Sequence, residues 1–231
     1  MKIGIIGAGN IGGALTRRFR QLGHEVAVAN SRGPQSLTDL ATETGATAVT
    51  PDQAVAGKDL VVVTIPQKNV PALSHGLFGD VPRSTVVVDT GNYYPQQRDG
   101  RMADLEAGGT ESEWVARQLD RPVIKAFNNI YAQHLQENGK PKGTPGRIAL
   151  PIAGDDANAK AIVMKLVDEL GFDPIDAGTL GESWRQQPGS PVYALDYDAE
   201  GVRRALAQAE RARKPEWSGT AQSPGDFNNP R

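Results

Sequence analysis

The opening MKIGIIGAGNIGGAL constrains this chain more than any other stretch. Residues 2–6 read as a strand, and Gly7, Gly9 and Gly12 follow as G-x-G-x-x-G. The next segment places Ile11, Ala14, Leu15, Phe19 and Leu22 on one helical face, closed by Gly23 as a left-handed cap. Strand, glycine turn and helix in that order are the context in which this pattern carries meaning. Gly7 allows the tight turn, Gly9 lets a pyrophosphate approach the backbone, and Gly12 lets the helix lie close on the strand. The amides of Ala8, Gly9, Asn10 and Ile11 then face an anion at the positive end of the helix. The competing reading is a glycine-rich turn without a ligand.

The rest of the chain repeats the alternation. Strands are predicted near 25–30, 46–49, 59–65, 85–89, 122–127, 147–153 and 172–176. A second helix follows Pro34 and ends at Gly45; another, capped by Asp155 and Asp156, buries Ile162, Val163, Leu166, Val167 and Leu170. A last helix from Asp198 to near Arg213 turns Val202, Ala205, Leu206 and Ala209 inward and leaves Arg203, Arg204, Arg211 and Arg213 to water. This pattern predicts an α/β fold, a Rossmann-type doubly wound, mostly parallel sheet with a short C-terminal helical arm. The expected organisation is a dinucleotide-binding domain with an extended sheet over 1–177, a loop and helix arm over 178–214, and a flexible tail over 215–231. That tail is rich in Pro, Gly, Ser and Asn without a period, and is expected to be disordered or draped over a neighbour.

Composition narrows the function. Lys and Arg total 25 against 27 Asp and Glu, a net charge of -2, so no global field favours nucleic acid or an anionic membrane. The absence of cysteine removes disulfides, a zinc-thiolate site, an iron–sulfur cluster and a cysteine nucleophile. His24, His75 and His134 are too scattered for a metal cluster. No apolar run approaches the roughly 18 residues that cross a bilayer, and no signal-peptide core follows Met1. The expected setting is therefore cytoplasmic. The expected partner is a small-molecule acceptor, with a homodimer left open and neither nucleic acid nor membrane involved.

The end of the second strand selects the dinucleotide. NAD-specific chains carry Asp or Glu there to bind the ribose 2′-hydroxyl, a charge that repels a 2′-phosphate. This chain carries Asn30, then Ser31 and Arg32, a hydroxyl and a guanidinium that can fork onto phosphate. NADP(H) is the expected cofactor; the competing reading is a polar turn with Arg32 in water. Ligands of doubly wound sheets lie across the carboxyl ends of the strands. The loops 64–69, 89–95 and 127–131 therefore supply Ile65, Pro66, Asn69, Asn92, Tyr93, Phe127 and Asn128 as further cofactor-site residues. Their aromatics, Tyr93, Tyr94, Phe127 and Tyr131, suit a planar ring, with Tyr93 and Phe127 expected to stack on it. The loop 137–147, with Lys140, Lys142 and Arg147, is expected to be a mobile cationic segment able to meet an acidic tail on the acceptor; the alternative is an ordinary solvated loop. No catalytic or metal-ligating residue is assigned, since positioning alone can carry hydride transfer. Lys125 and Asp89 are assigned to structure.

The motifs IGIIGAGNIGGAL, NSRGP, TIP, KAFNN, PIAGDDANAKAIVMKLVDELGFDPIDAG and the following ESW resemble the NADPH:F420 oxidoreductase family over residues 1 to about 210. TGNYYPQQRDGR and ESWRQQPGSPVY look like a bacterial branch of F420-dependent NADP reductase-like proteins. A weaker similarity to the reductase domain of eukaryotic six-helix metalloreductases runs through KAFN and GDD. The resemblance implies a Rossmann fold, NADPH held by Ala8 to Ile11 and by Ser31 and Arg32, and an enzyme exchanging hydride with coenzyme F420 as second substrate. The alternatives are a flavin or ferric-chelate reductase with the same NADPH site, and a noncatalytic NADPH sensor. A β-hydroxyacid dehydrogenase is discounted, because the chain after Ala177 is too short for that family's helical substrate domain.

NADPH should bind about tenfold or more tightly than NADH, and Arg32→Ala should remove most of the difference, because a charge-assisted hydrogen bond contributes about 1.5 to 3 kcal/mol. Titration of both nucleotides measures it; equal affinity in the parent protein refutes the NADP assignment.

Overall fold

A computed structural model describes residues 1–73 and 76–231, so His75 lies outside the described residues. Six strands form one parallel sheet: β1 (Lys2–Ile6), β2 (Glu25–Ala29), β3 (Thr47–Ala48), β4 (Leu60–Val63), β5 (Val86–Asp89) and β6 (Ile124–Lys125). Their order is β3-β2-β1-β4-β5-β6, with the reversal between β1 and β4. The helices are α1 (Asn10–Gln21), α2 (Thr38–Thr44), α3 (Pro51–Val55), α4 (Ala103–Glu106), α5 (Glu111–Leu119), α6 (Ala132–Glu137), α7 (Ala157–Glu169) and α8 (Ala199–Ala207). The chain is a Rossmann-type α/β fold. Among the described residues no helix is long and apolar enough to cross a membrane.

The two-residue period of the strands creates two cores. Ile3, Ile5, Val26, Val28, Leu60 and Val62 point to one face, where Leu15 and Phe19 of α1, Leu135 of α6 and Val163 and Val167 of α7 cover them. Ile6, Ala29, Val61, Val63 and Val87 point to the other, against Val55 of α3 and Trp114 and Val115 of α5. Strands buried on both faces must be apolar throughout, which is why LVVV and VVVD show no polar alternation. The remaining strands, β7 (Ala149–Ile152) and β8 (Asp173–Asp176), make a separate parallel pair, tied to β6 by one antiparallel bridge between Lys125 and Ala153. Helix α8 covers that pair through Val202, Ala205 and Leu206.

Gly23 and Gly45 take left-handed conformations at φ 83° and 72°, as their cap positions require. Other expectations need correction. Leu22 is 40% exposed, because the helix ends at Gln21 and its last turn leaves the sheet; Ile162 is 37% exposed on the outer side of α7. Helix α8 stops at Ala207, short of Arg213. The loop 137–147 is also not a free cationic segment. Arg147 is buried, with Nη1 donating to Asp168 at 2.8 Å and to Asp173 at 2.6 Å, so it fastens the loop to α7 and β8. Lys140 and Lys142 are exposed, but Lys140 donates to the Gly146 carbonyl and Lys142 to Asp168 at 3.4 Å.

The tail after Lys214 lies on its own chain. Gln96 Nε2 donates to the carbonyls of Pro215 and Ser218, and the Gln96 carbonyl accepts from the amides of Gly225 and Arg231. Arg213, expected in water, is drawn inward: its guanidinium meets the fully buried Glu111 carboxylate at 3.0 Å and covers the Tyr93 ring. Burial pushes the Glu111 carboxyl up, and Arg213 opposes that rise. A carboxyl raised in the folded state is deprotonated first in the unfolded chain, so its cost to stability grows as pH rises above about 4.5. Arg213→Ala should therefore destabilise the protein by about 3 kcal/mol near neutral pH, with a smaller loss as pH falls toward ~5. Denaturant melts across that range check both the size and the sign.

Candidate functional site

At the carboxyl end of β1 the chain turns at Gly7, where φ is 110°, and enters α1. A Cβ on Gly12 would lie 1.9 Å from the Gly7 carbonyl oxygen and one on Gly7 2.1 Å from the Thr64 carbonyl oxygen, so both positions exclude side chains by backbone contact. Gly9 differs: no atom lies within 4 Å of its Cβ position, and its backbone is extended at φ -75°. The helix has neither a side-chain cap nor an acidic residue in its first turn, which leaves its leading amides to a ligand. The open volume at Gly9, over those amides, fits a pyrophosphate.

This turn lines a cleft of about 860 Å³ together with Arg32 and Ser36 beyond β2 and Tyr131 and His134 of the α6 end. Asn30 holds the NSRGP turn, its Oδ1 accepting from the Arg32 amide at 2.9 Å and its Nδ2 donating to Ser36 Oγ at 2.9 Å. Ser31 is exposed beside it. Arg17, the other cation in the cleft, is committed to Glu43 through two bonds of 2.6 and 2.7 Å. Among the described residues the Arg32 guanidinium has no such partner, so it is the charge free to meet a phosphate.

The family model described as NADP oxidoreductase, coenzyme F420-dependent, matches residues 2–93. The structure superposes on a hypothetical protein from Sinorhizobium meliloti with TM-score 0.71 and 32% identity, covering 85% of this chain and 94% of that one. A protein from Arthrobacter sp. FB24 described as an F420-dependent NADP-reductase superposes at TM-score 0.65 and 26% identity, over 78% and 85% of the two chains. That family model covers the N-terminal part of the chain, from β1 through β5 to Tyr93. Among curated proteins, metalloreductase STEAP3 of Rattus norvegicus is 27% identical over 195 residues, 84% of this chain and 37% of that protein. The chain spans between 37% and 65% of the length of the curated relatives it matches.

Other residues expected to serve the family's cofactor divide into two sets. Ile65 and Pro66 sit half-buried at the end of β4, with Ile65 Cγ2 against the Gly7 turn, and Asn69 is exposed one turn further on. Asn92 and Asn128, on neighbouring strand ends, bond to one another: Asn92 Nδ2 donates to the Asn128 carbonyl at 3.0 Å and Asn128 Nδ2 to Asn92 Oδ1 at 3.1 Å. Gln186, from the turn Leu180–Gln186, closes this amide network by donating to Asn128 Oδ1 at 3.1 Å. Tyr93 and Phe127 are corrections. Tyr93 is fully buried, its hydroxyl accepting from the Met102 amide and donating to Glu106 at 2.9 Å, so no face is open for stacking. Phe127 is 2% exposed and turns into the core because its backbone adopts φ 62°.

Lys125 and Asp89 have the structural role expected of them. Asp89 Oδ2 accepts from Lys125 Nζ at 3.1 Å and from Ser112 Oγ at 2.7 Å, its Oδ1 accepts from the Gly91 amide, and Lys125 Nζ also donates to the Gly91 carbonyl. Both are buried with every polar group engaged. Of the loop aromatics expected to suit a planar ring, it is Tyr94 rather than Tyr93 that stays half-buried outside the core, its hydroxyl bonded to that of Tyr193, a residue the sequence reading did not single out. The repeated tyrosine was a signal, but which member faces out depends on Glu111, whose carboxylate accepts from the Tyr93 amide at 3.1 Å.

Two glycine variants should separate ligand contact from folding. Gly9→Val should keep the native circular dichroism and melting temperature while losing NADPH binding, because its branched side chain fills only the open volume. Gly12→Val should lower the melting temperature itself, since its Cβ meets backbone. Normal NADPH titration by folded Gly9→Val would remove the glycine turn as the phosphate site.

Proposed function

We propose that this chain transfers hydride between NADP(H) and a planar ring acceptor, with coenzyme F420 the first candidate. The observation that supports this most is the continuity of the free α1 amides with the uncommitted Arg32 guanidinium in one cleft. Ala8 to Ile11 would hold the pyrophosphate, Ser31 and Arg32 the 2′-phosphate, and Ile65 and Pro66 the wall leading toward the strand ends β4 to β6. NADPH, when bound, supplies the hydride. The protein's contribution is placement and exclusion of water, consistent with strand ends at which Asp89 and Lys125, and Asn128 and Gln186, are buried as two bonded pairs.

The family description supports F420, and so does the name of the Arthrobacter protein. A second reading, a flavin or ferric-chelate reductase, draws on the likeness to metalloreductase STEAP3. Anaerobic NADPH oxidation measured side by side with F420, FMN, FAD and ferric chelates distinguishes them. The expected result is fastest turnover with F420. Preference for FMN or FAD would move the assignment to a flavin reductase, and tight NADPH binding without turnover on any acceptor would make the chain a dinucleotide sensor.

A further inference from the structure

Beyond the end of β5 four aromatic side chains converge from three separate parts of the chain. Tyr94 comes from the loop after Asn92, Tyr193 from the segment after the Leu180–Gln186 turn, and Trp217 and Phe227 from the C-terminal tail. The Tyr94 ring centre lies 5.6 Å from Phe227 and 6.4 Å from Trp217, and Tyr193 lies 5.8 Å from Trp217. They are not core residues: none belongs to a buried cluster, and Phe227 is 63% exposed. Tyr131, 57% exposed at the head of α6, lines the same cleft as Gly9. Three half-buried rings, Tyr94, Tyr193 and Trp217, beside the exposed Phe227 mark a place where another flat apolar group can be received.

The hydroxyls supply a second, independent observation. Tyr94 and Tyr193 are bonded to each other through their phenol oxygens. Two phenols carry two protons, and one bond between them uses one. Among the described residues no acceptor takes the other, so the pair keeps a donor for a ligand. Burial raises both hydroxyls above the usual phenol value, so that proton stays in place at neutral pH.

The geometry points to this cluster as the seat of the ring acceptor: Phe227 and Trp217 flank the ring's apolar face, and the Tyr94–Tyr193 pair donates its free proton to a carbonyl or ring nitrogen on the ring's edge. The class recognised is a planar heteroaromatic with a hydrogen-bond-accepting edge, as isoalloxazine and its 5-deaza analogue carry. The tail thus completes the site rather than hanging from it, and Gln96, which bonds the tail at both ends, is a positioning residue. Asn92 links the seat to the strand ends where the nicotinamide belongs, because it is bonded to Asn128 across β5 and β6. This inference rests on the proposed hydride transfer to a ring acceptor.

The test follows quenching of the ring's own fluorescence when full-length protein, with saturating NADP+, is titrated against riboflavin, FMN and F420. Riboflavin carries the ring without a charged tail. Phe227→Ala and Tyr193→Phe should each weaken riboflavin binding about three- to tenfold while the Kd for NADPH stays at the parent value. Neither change threatens folding, since Phe227 is mostly exposed and Tyr193→Phe removes only the hydroxyl and keeps the ring; circular dichroism confirms it. Unchanged riboflavin affinity in both variants overturns the seat, as does a parent protein that quenches none of the three rings. Failure of the hydride-transfer reading has a different signature: rings and NADPH both bind, with the expected variant effects, yet NADPH is not oxidised.

Discussion

Two buried ion pairs, Asp89 with Lys125 and Glu111 with Arg213, hold the carboxyl end of the sheet in shape. Ionised groups in an apolar interior are tolerated only when their oxygens and protons are all used. Here the partners that satisfy them are the backbone of the very loop that borders the site. Gly91 gives its amide to Asp89 and its carbonyl to Lys125, and Tyr93 gives its amide to Glu111. The loop after β5 is therefore fixed at two points two residues apart. A chain pinned in this way sends Tyr93 inward and Tyr94 outward, and the aromatic surface of the molecule follows from that choice.

The two halves of the site are made by different means. The dinucleotide half is local: β1, the glycine turn and the start of α1 are contiguous, and the NSRGP turn is closed by Asn30 and Ser36 within seven residues of chain. The acceptor half is assembled across the chain, with Asn92 meeting Asn128, Asn128 meeting Gln186, and Tyr94 meeting both Tyr193 and the tail. A single substitution in the first half acts on one ligand group. In the second it acts on segments nearly a hundred residues apart, so binding of the acceptor and anchoring of the tail are physically coupled.

Charge placement repeats the same contrast. Arg147 and Arg213 stand in polar sequence, where a solvated side chain is the natural expectation. Each is instead consumed by carboxylates from elsewhere: Asp168 and Asp173 in one case, Glu111 in the other. Nothing within either segment announces its partner. Arg32 has the same kind of surroundings in sequence and stays uncommitted, because Asn30 and Ser36 satisfy the turn around it and, among the described residues, no carboxylate bonds to its side chain.

The strands, the glycine turn, the alternation of sheet and helix and the expectation of NADP(H) could all be read from the order of residues, because each depends on short-range geometry. Period-two and helical periodicities, positive φ at glycine and the close approach of Gly7 to Gly12 are properties of neighbouring residues. Packing chose between outcomes that the residue order left equal: which of Tyr93 and Tyr94 enters the core, that Phe127 turns inward, that β7 and β8 leave the main sheet, and that the tail lies over Tyr94. Those outcomes are set by where a buried charge or an orphan amide finds its partner, and the partner is distant in sequence. Periodicity carries no information across such distances; the packed chain does.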